Sequence, residues 1–302
     1  MREPWVVGVL LAGLLLGACG DPASAPGDPA PAAPRASAPT EQRAPASPTS
    51  RPAKPRTPPR VLYLGDSLAV ENQKVLGQEL RRDLRARYTS APYSGTTLCD
   101  YLEGTAERSL VPAADKAAAL VRRLRPDVVV LQFWGNSWGY TPCMDGITHD
   151  KSPARYFTRY AADARRLTEQ ISAAGDGAGP RIVWVAQGPD PITPDRVRRV
   201  NALYAQRAAV SGALVADAGR AVSPAGGRYT WTQYLPCTAF ERARPGYCTQ
   251  PLRGRTAVHR DDDYLHFCLA PTTSRPKPCP VPSPGILRMA REITKTVRQS
   301  AR

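Results

Sequence analysis

Residues 127–133 read DVVVLQF, a run that is apolar on both faces. A strand with one wet face alternates polar and apolar side chains. This one must be covered on both sides, which is the situation of a central strand in a parallel sheet. Parallel neighbours require long crossovers, usually helical, and the flanking sequence supplies them. Residues 61–64 form a short apolar run ended by Gly65. Val75, Leu76, Leu80 and Leu84 then recur at helical spacing, predicting a helix over roughly 68–87. Further helices are predicted over 113–124, 153–174 and 194–211, with strands over 181–186 and 213–216 and an amphipathic helix within 281–302. Strand and helix alternate throughout, so the expected architecture is an open, mostly parallel sheet with helices on both faces. Sites in such sheets lie beyond the carboxyl ends of the strands.

The first fifth of the chain is different material. Of the 32 prolines, 13 fall within residues 1–60. Residues 1–19 carry one Arg, an apolar run from Val6 to Leu16 and then small residues. The run is too short to span a bilayer and has the length of a signal-peptide core. Leu16-Gly17-Ala18-Cys19 resembles the bacterial lipobox, which makes Cys19 the expected lipidation site and the membrane an expected partner through that anchor. Residues 20–60, rich in Pro, Ala, Ser and Thr, cannot bury enough apolar surface to fold and are expected to form a disordered tether. The domain is expected over 61–302. An even set of six further cysteines, Cys99, Cys143, Cys237, Cys248, Cys268 and Cys279, fits disulfides in an exported, extracytoplasmic domain. Fifteen pairings exist. Nearness in sequence favours Cys237–Cys248 and Cys268–Cys279, leaving Cys99 with Cys143. No CxxC pair is present and only three histidines exist, so no metal or other cofactor is expected. Lys plus Arg exceed Asp plus Glu by 15 (41 against 26), which suits anionic surfaces. The basic residues are scattered and export removes the obvious target, so nucleic acid is not an expected partner. A monomer is expected.

Chemistry is expected where strands end. Gly65-Asp66-Ser67 follows the first strand and opens a helix, where the hydroxyl is exposed and the helix N-terminus favours negative charge. Capping by Asp66 or Ser67 is the plainer explanation of that triplet taken alone. Asp263-Tyr264-Leu265-His266 lies near the other end of the chain. A serine is a poor nucleophile until a base removes its proton, and a carboxylate fixes the tautomer of a histidine base. The two motifs together, in this order and context, resemble the SGNH (GDSL) hydrolase family over roughly residues 60–302. The resemblance implies a flavodoxin-like three-layer α/β/α sandwich and hydrolysis, or occasionally transfer, of acyl esters. It implies Ser67 as nucleophile, His266 as general base and Asp263 as its orienter. It also implies an oxyanion hole from the backbone N–H of Ser67, a glycine after the second strand (Gly95 in YSGT) and an asparagine after the third (Asn136). The family's G-x-N-D appears here as Trp134-Gly135-Asn136-Ser137, with the glycine displaced and the aspartate absent.

A Cys99–Cys143 bridge would follow both oxyanion loops and could hold them against Ser67. Trp134, Trp138 and Tyr140 cluster in the same region. Such aromatic faces stack on sugars, though beside a strand end they more often pack. His149 and His259 show no convincing partner and are read as structural. Three functions compete: an exported, lipid-anchored esterase acting on acyl esters of carbohydrate or lipid, a cell-envelope glycan acyltransferase using the same triad, and a silent envelope-binding module. The last predicts loss of a triad member, and none is lost.

Overall fold

The computed structural model describes residues 57–134, 136, 142–177 and 179–300. The expected signal peptide, Cys19 and nearly all of the expected tether lie outside these residues, as do Trp138 and Tyr140.

Five parallel strands build the main sheet: β1 (Arg60–Gly65), β2 (Arg87–Ser90), β3 (Val128–Gln132), β4 (Arg181–Val185) and β5 (Leu214–Ala216). Their spatial order is β2-β1-β3-β4-β5. The direction of winding reverses between β1 and β3, which places the topological switch point there. Register is set by apolar pairs, with Val61 opposite Val128 and Leu64 opposite Leu131. Between the strands run α1 (Ser67–Leu84), α2 (Ala117–Leu124), α3 (Pro153–Ala174) and α4 (Pro194–Ser211). The short α5 (Ala218–Ala221) and α6 (Ala239–Arg242) follow, and α7 (Pro284–Ser300) closes the domain. A two-stranded antiparallel ribbon pairs β6 (Tyr234–Pro236) with β7 (Arg255–Ala257).

The period-two geometry of the strands divides the core into two layers. Val61, Tyr63, Val128, Val130, Val183 and Val185 point toward Leu76 and Leu80 of α1 and Ile286, Ile293 and Val297 of α7. Leu62, Leu64, Val129, Leu131, Ile182 and Trp184 point the other way, toward α2, α3 and α4. Trp184 stacks on Tyr204 of α4 with ring centroids 4.7 Å apart. Helices thus cover both faces of a sheet whose central strand β3 is wholly buried, the three-layer arrangement expected.

Several elements differ from expectation. The first helix stops at Leu84, not near residue 87, and an edge strand follows it immediately. Arg85 adopts a left-handed conformation (φ 53°), its N–H bonds Arg81 O at 3.0 Å and that of Ala86 bonds Leu80 O at 3.3 Å. That cap is ordinarily made by glycine, so the sequence carries no stop signal. The strand it releases, Arg-Tyr-Thr-Ser, is half-exposed and polar. The helix expected over 113–124 begins at Ala117, after a 3₁₀ turn at Ala113–Asp115. The β6–β7 ribbon was not anticipated, whereas the last helix, Pro284–Ser300, falls within the expected stretch. Three disulfides join Cys99 to Cys143, Cys237 to Cys248 and Cys268 to Cys279.

Candidate active site

Gly65 ends β1 where the chain passes so close to β3 that a Cβ would sit 2.0 Å from Gln132 O and 2.6 Å from the Cβ of Ala69. Only glycine fits, and the tight passage puts Asp66 at the N-cap of α1 and Ser67 at its first position. Asp66 does cap the helix, accepting from Leu68 N at 3.1 Å. Its second oxygen accepts from Trp134 N at 2.5 Å and from Asn136 Nδ2 at 3.2 Å. One fully buried carboxylate therefore ties the Ser67 turn to the segment after β3. Burial pushes Asp66 up to about 7, against the opposing pull of the Trp134 and Leu68 N–H groups and of His266.

The segment after β2 is stitched to the same turn. Gly65 O accepts from Tyr93 N at 2.9 Å and Tyr101 Oη at 2.8 Å. Gly95 follows in a left-handed conformation (φ 79°) and lines the cavity above Ser67. Asn136 also lines it; its amide donates to Thr96 O at 3.2 Å as well as to Asp66. The Cys99–Cys143 bridge joins the regions that follow these two segments. Trp134 is 3% exposed and belongs to the core layer under α1, so it packs.

His266 reaches Ser67 from the far end of the chain. Its Nε2 lies 3.1 Å from Ser67 Oγ. Its Nδ1 lies 3.0 and 3.1 Å from the two oxygens of Asp263. Asp263 Oδ1 also accepts from Leu265 N at 3.2 Å and His266 N at 3.0 Å, an Asx-type turn that folds the three-residue spacing back on itself. Thr273 Oγ1 donates to Oδ2 at 2.8 Å. These partners assign the Nδ1–H tautomer and leave the Nε2 lone pair toward the serine. Burial opposes charge on Asp263, but His266 and the Thr273 hydroxyl outweigh it and hold the carboxyl far below its usual range. Burial likewise opposes the imidazolium, but Asp263, Glu71 and Asp66 raise His266 overall. Neither neighbouring aspartate reaches the ring: Asp262 pairs with Arg260 at 2.7 Å and Asp261 accepts from Gln233.

His149 and His259 do have partners, contrary to expectation. His149 Nδ1 lies 3.2 Å from Asp150, against the rings of Tyr156 and Phe157. His259 Nδ1 lies 2.9 Å from His266 O, with its ring between Trp231 and Phe267. Burial lowers His259 to about 4, so it sits neutral beneath the histidine segment. Two more residues escaped sequence reasoning, Glu71 on α1 and Thr272 after His266, both buried and both lining the cavity.

The cavity has a volume of about 260 Å³; Thr273, Pro276 and Lys277 complete its wall beside Ser67, Gly95, Asn136 and His266. A larger hollow of about 850 Å³ lies at the amino ends of β1 and β3, lined by Arg60, Asp127 and Arg298 without a nucleophile–base pair. Chemistry, not size, selects the former. Cys99, Asp100 and Cys143 approach one another closely, but both sulfurs are committed to the disulfide and offer no thiolate to a metal.

Fold and site together define a doubly wound α/β protein with a serine–histidine–aspartate constellation at the carboxyl end of its sheet. No protein-family model matches the sequence, and no curated protein matches it. Among solved structures, the chain is similar to Axe2, an acetylxylan esterase from Geobacillus stearothermophilus, at 14% identity over 79% of this chain and 94% of that one, with a TM-score of 0.46. It is similar to a lipase/acylhydrolase from Enterococcus faecalis at 15% identity, over 80% and 96% of the two chains, with a TM-score of 0.44. It is similar to the periplasmic domain of a lipopolysaccharide acetyltransferase from Salmonella ser. Paratyphi A at 13% identity, over 79% and 83%, with a TM-score of 0.49.

Proposed function

We propose that the chain is a serine esterase of the SGNH/GDSL type, exported and held at the cell envelope by a lipid on Cys19. The observation that carries the enzymatic part is the continuous contact from Asp263 through His266 to Ser67 Oγ, made between groups 199 residues apart. Nothing in packing alone requires an imidazole aligned between a buried carboxylate and a helix-N-terminal hydroxyl.

In the proposed reaction His266 Nε2 takes the Ser67 proton as Oγ attacks the ester carbonyl carbon. The C=O π pair moves onto oxygen, which the Ser67 and Gly95 backbone N–H groups would stabilise, joined by the Asn136 amide on exchanging its bond to Thr96 O for the oxyanion. The tetrahedral centre collapses, the C–O bond to the alcohol breaks, and the imidazolium returns its proton to that leaving oxygen. A water molecule then repeats the sequence on the acyl-serine and releases the carboxylic acid. Asp263 stays ionised throughout, orienting the ring and stabilising its cation. A cavity of about 260 Å³ is slightly below the roughly 300–1,000 Å³ of drug-sized ligand sites, which favours an acetyl or other short acyl group. The alcohol would be carbohydrate or lipid. Three disulfides and the expected signal peptide favour an extracytoplasmic setting. Among the described residues no helix is long and apolar enough to cross a membrane, so attachment would rest on the anchor.

The test is a fluorophosphonate probe followed by acetyl, butyryl and longer nitrophenyl esters and then acetylated glycans. Single labelling on Ser67 with preference for the short esters is expected. No labelling and no turnover would sink the esterase and promote an envelope-binding role. Cys19→Ser should release the protein from the membrane fraction; unchanged lipid labelling would remove the anchor.

A further inference from the structure

Glu71 is a buried acid that the proposed reaction does not use. It is 2% exposed and lies four residues beyond Ser67 on α1, so one turn of helix puts both on the same face. Its oxygens are fully engaged by the segment that carries the histidine. Phe267 N and Cys268 N donate to Oε2 at 3.2 and 3.3 Å, and Thr272 Oγ1 donates to Oε1 at 2.6 Å. Its own carbonyl accepts from Cys279 N at 3.1 Å. Everything it holds lies within the stretch that begins at His266 and ends at the Cys268–Cys279 bridge. A helix interior beside a core is a costly place for a carboxylate, and a glutamine could make most of these bonds without charge.

We propose that Glu71 is a positioning residue for this site, clamping the His266 segment onto the nucleophile helix and presenting a second negative charge to the imidazole besides that of Asp263. This rests on the reading of His266 as the base. The clamp ties the residues after His266 to the helix that carries Ser67, and so bears on the Nε2–Oγ distance independently of the Asp263 contact. The charge favours the imidazolium that forms as Ser67 attacks. Burial raises Glu71 and so works against its charge, while His266, Thr272 and the Phe267 N–H favour the carboxylate.

The other groups facing the ring are named by the same geometry. Asp263 and Ser67 touch it, and the charge of Asp66 at the α1 N-cap acts on it. Neutral His259 holds its carbonyl, Arg260 lies 3.9 Å from Asp263, and Lys277 lines the same cavity. All of these remain in Glu71→Gln, so a change in the ring's titration in that variant belongs to Glu71.

The chain has only three histidines, which makes titration by nitrogen-detected NMR of histidine-labelled full-length protein direct. The Glu71→Gln variant should titrate His266 at lower pH than the wild type, with the His149 and His259 signals in place as evidence of folding. In ester turnover the acid limb should move the same way, with kcat down about ten- to a hundredfold and KM little changed. Thr272→Val, which keeps the carboxylate but removes one donor to it, should move the midpoint in the same direction by less, and serves if Glu71→Gln does not fold. A purely structural clamp would lower melting temperature and leave the His266 midpoint where it was; that result overturns the proposal. A shifted midpoint in a protein that shows no phosphonate labelling would instead sink the esterase reading and the positioning role with it, leaving only the coupling of Glu71 to His266.

Discussion

At the scale of single residues, Ser67 and His266 should fail together. Because the two act as a unit, Ser67→Ala and His266→Ala should each lower turnover by several orders of magnitude and the double variant by little more. Asp263→Asn should be damaging but milder, since it upsets the tautomer without removing the base. Asp261→Asn and Asp262→Asn should be near-neutral, because their carboxylates bond Gln233 and Arg260 rather than the ring. An Asp262→Asn defect larger than that of Asp263→Asn would reassign the orienter. The sign of the pH dependence follows from the raised His266. Protonated imidazole cannot accept the serine proton, so kcat/KM should fall as pH drops through a value above the ordinary histidine figure of about 6.5. A limb at or below that figure would contradict the surroundings described. Ser67, Asp263 and His266 were legible because each sits in a short local motif. Glu71 was not: in Leu-Ala-Val-Glu it looks like the polar side of a helix, and its partners are 196 to 201 residues away.

At the scale of elements, the β1–α1 turn and the segment after β3 should behave as one part. Gly65→Ala forces a Cβ into Gln132 O, between two hydrogen-bonded strands that cannot move apart, and should cost about 3 kcal/mol or more on chemical denaturation. Wild-type stability in that variant would show that the turn can open. Asn136→Ala should lower kcat by roughly a hundredfold, about 3 kcal/mol of transition-state stabilisation, with KM nearly unchanged. An equal rise in KM would show that Asn136 binds substrate rather than the developing oxyanion. The strands that frame these turns were legible because β1, β3 and β4 are buried on both faces and read as continuous apolar runs. The second strand was not, since Arg-Tyr-Thr-Ser has no apolar pattern and Arg85 caps the preceding helix without a glycine. The position after β2 was nonetheless reached, through the motif containing Gly95.

At the scale of the whole molecule, the three disulfides divide between site and scaffold. Cys99–Cys143 holds the regions following the Gly95 and Asn136 segments, and Cys268–Cys279 closes the stretch clamped by Glu71. Cys237–Cys248 instead staples the β6–β7 ribbon, where Cys237 N bonds Gly254 O at 2.8 Å beside the paired strands. By loop-closure entropy each bridge contributes on the order of 3–4 kcal/mol, the 44-residue separation of Cys99 and Cys143 placing that bridge at the upper end. All three double Cys→Ser variants should therefore melt earlier. Turnover separates them. With the Cys237/Cys248 pair replaced, the surviving folded protein should keep kcat near the wild-type value, because that bridge closes the end of the ribbon remote from Gln233 and His259, where the ribbon adjoins the Asp261–His266 segment. With Cys99/Cys143 replaced, kcat should fall well before the melting point is approached, because the regions after the Gly95 and Asn136 segments lose the link that relates them. Equal turnover in these two variants, measured at a temperature where both are folded, would show that the Asp66 and Gly65 hydrogen bonds hold the Gly95 and Asn136 segments without help from the bridge.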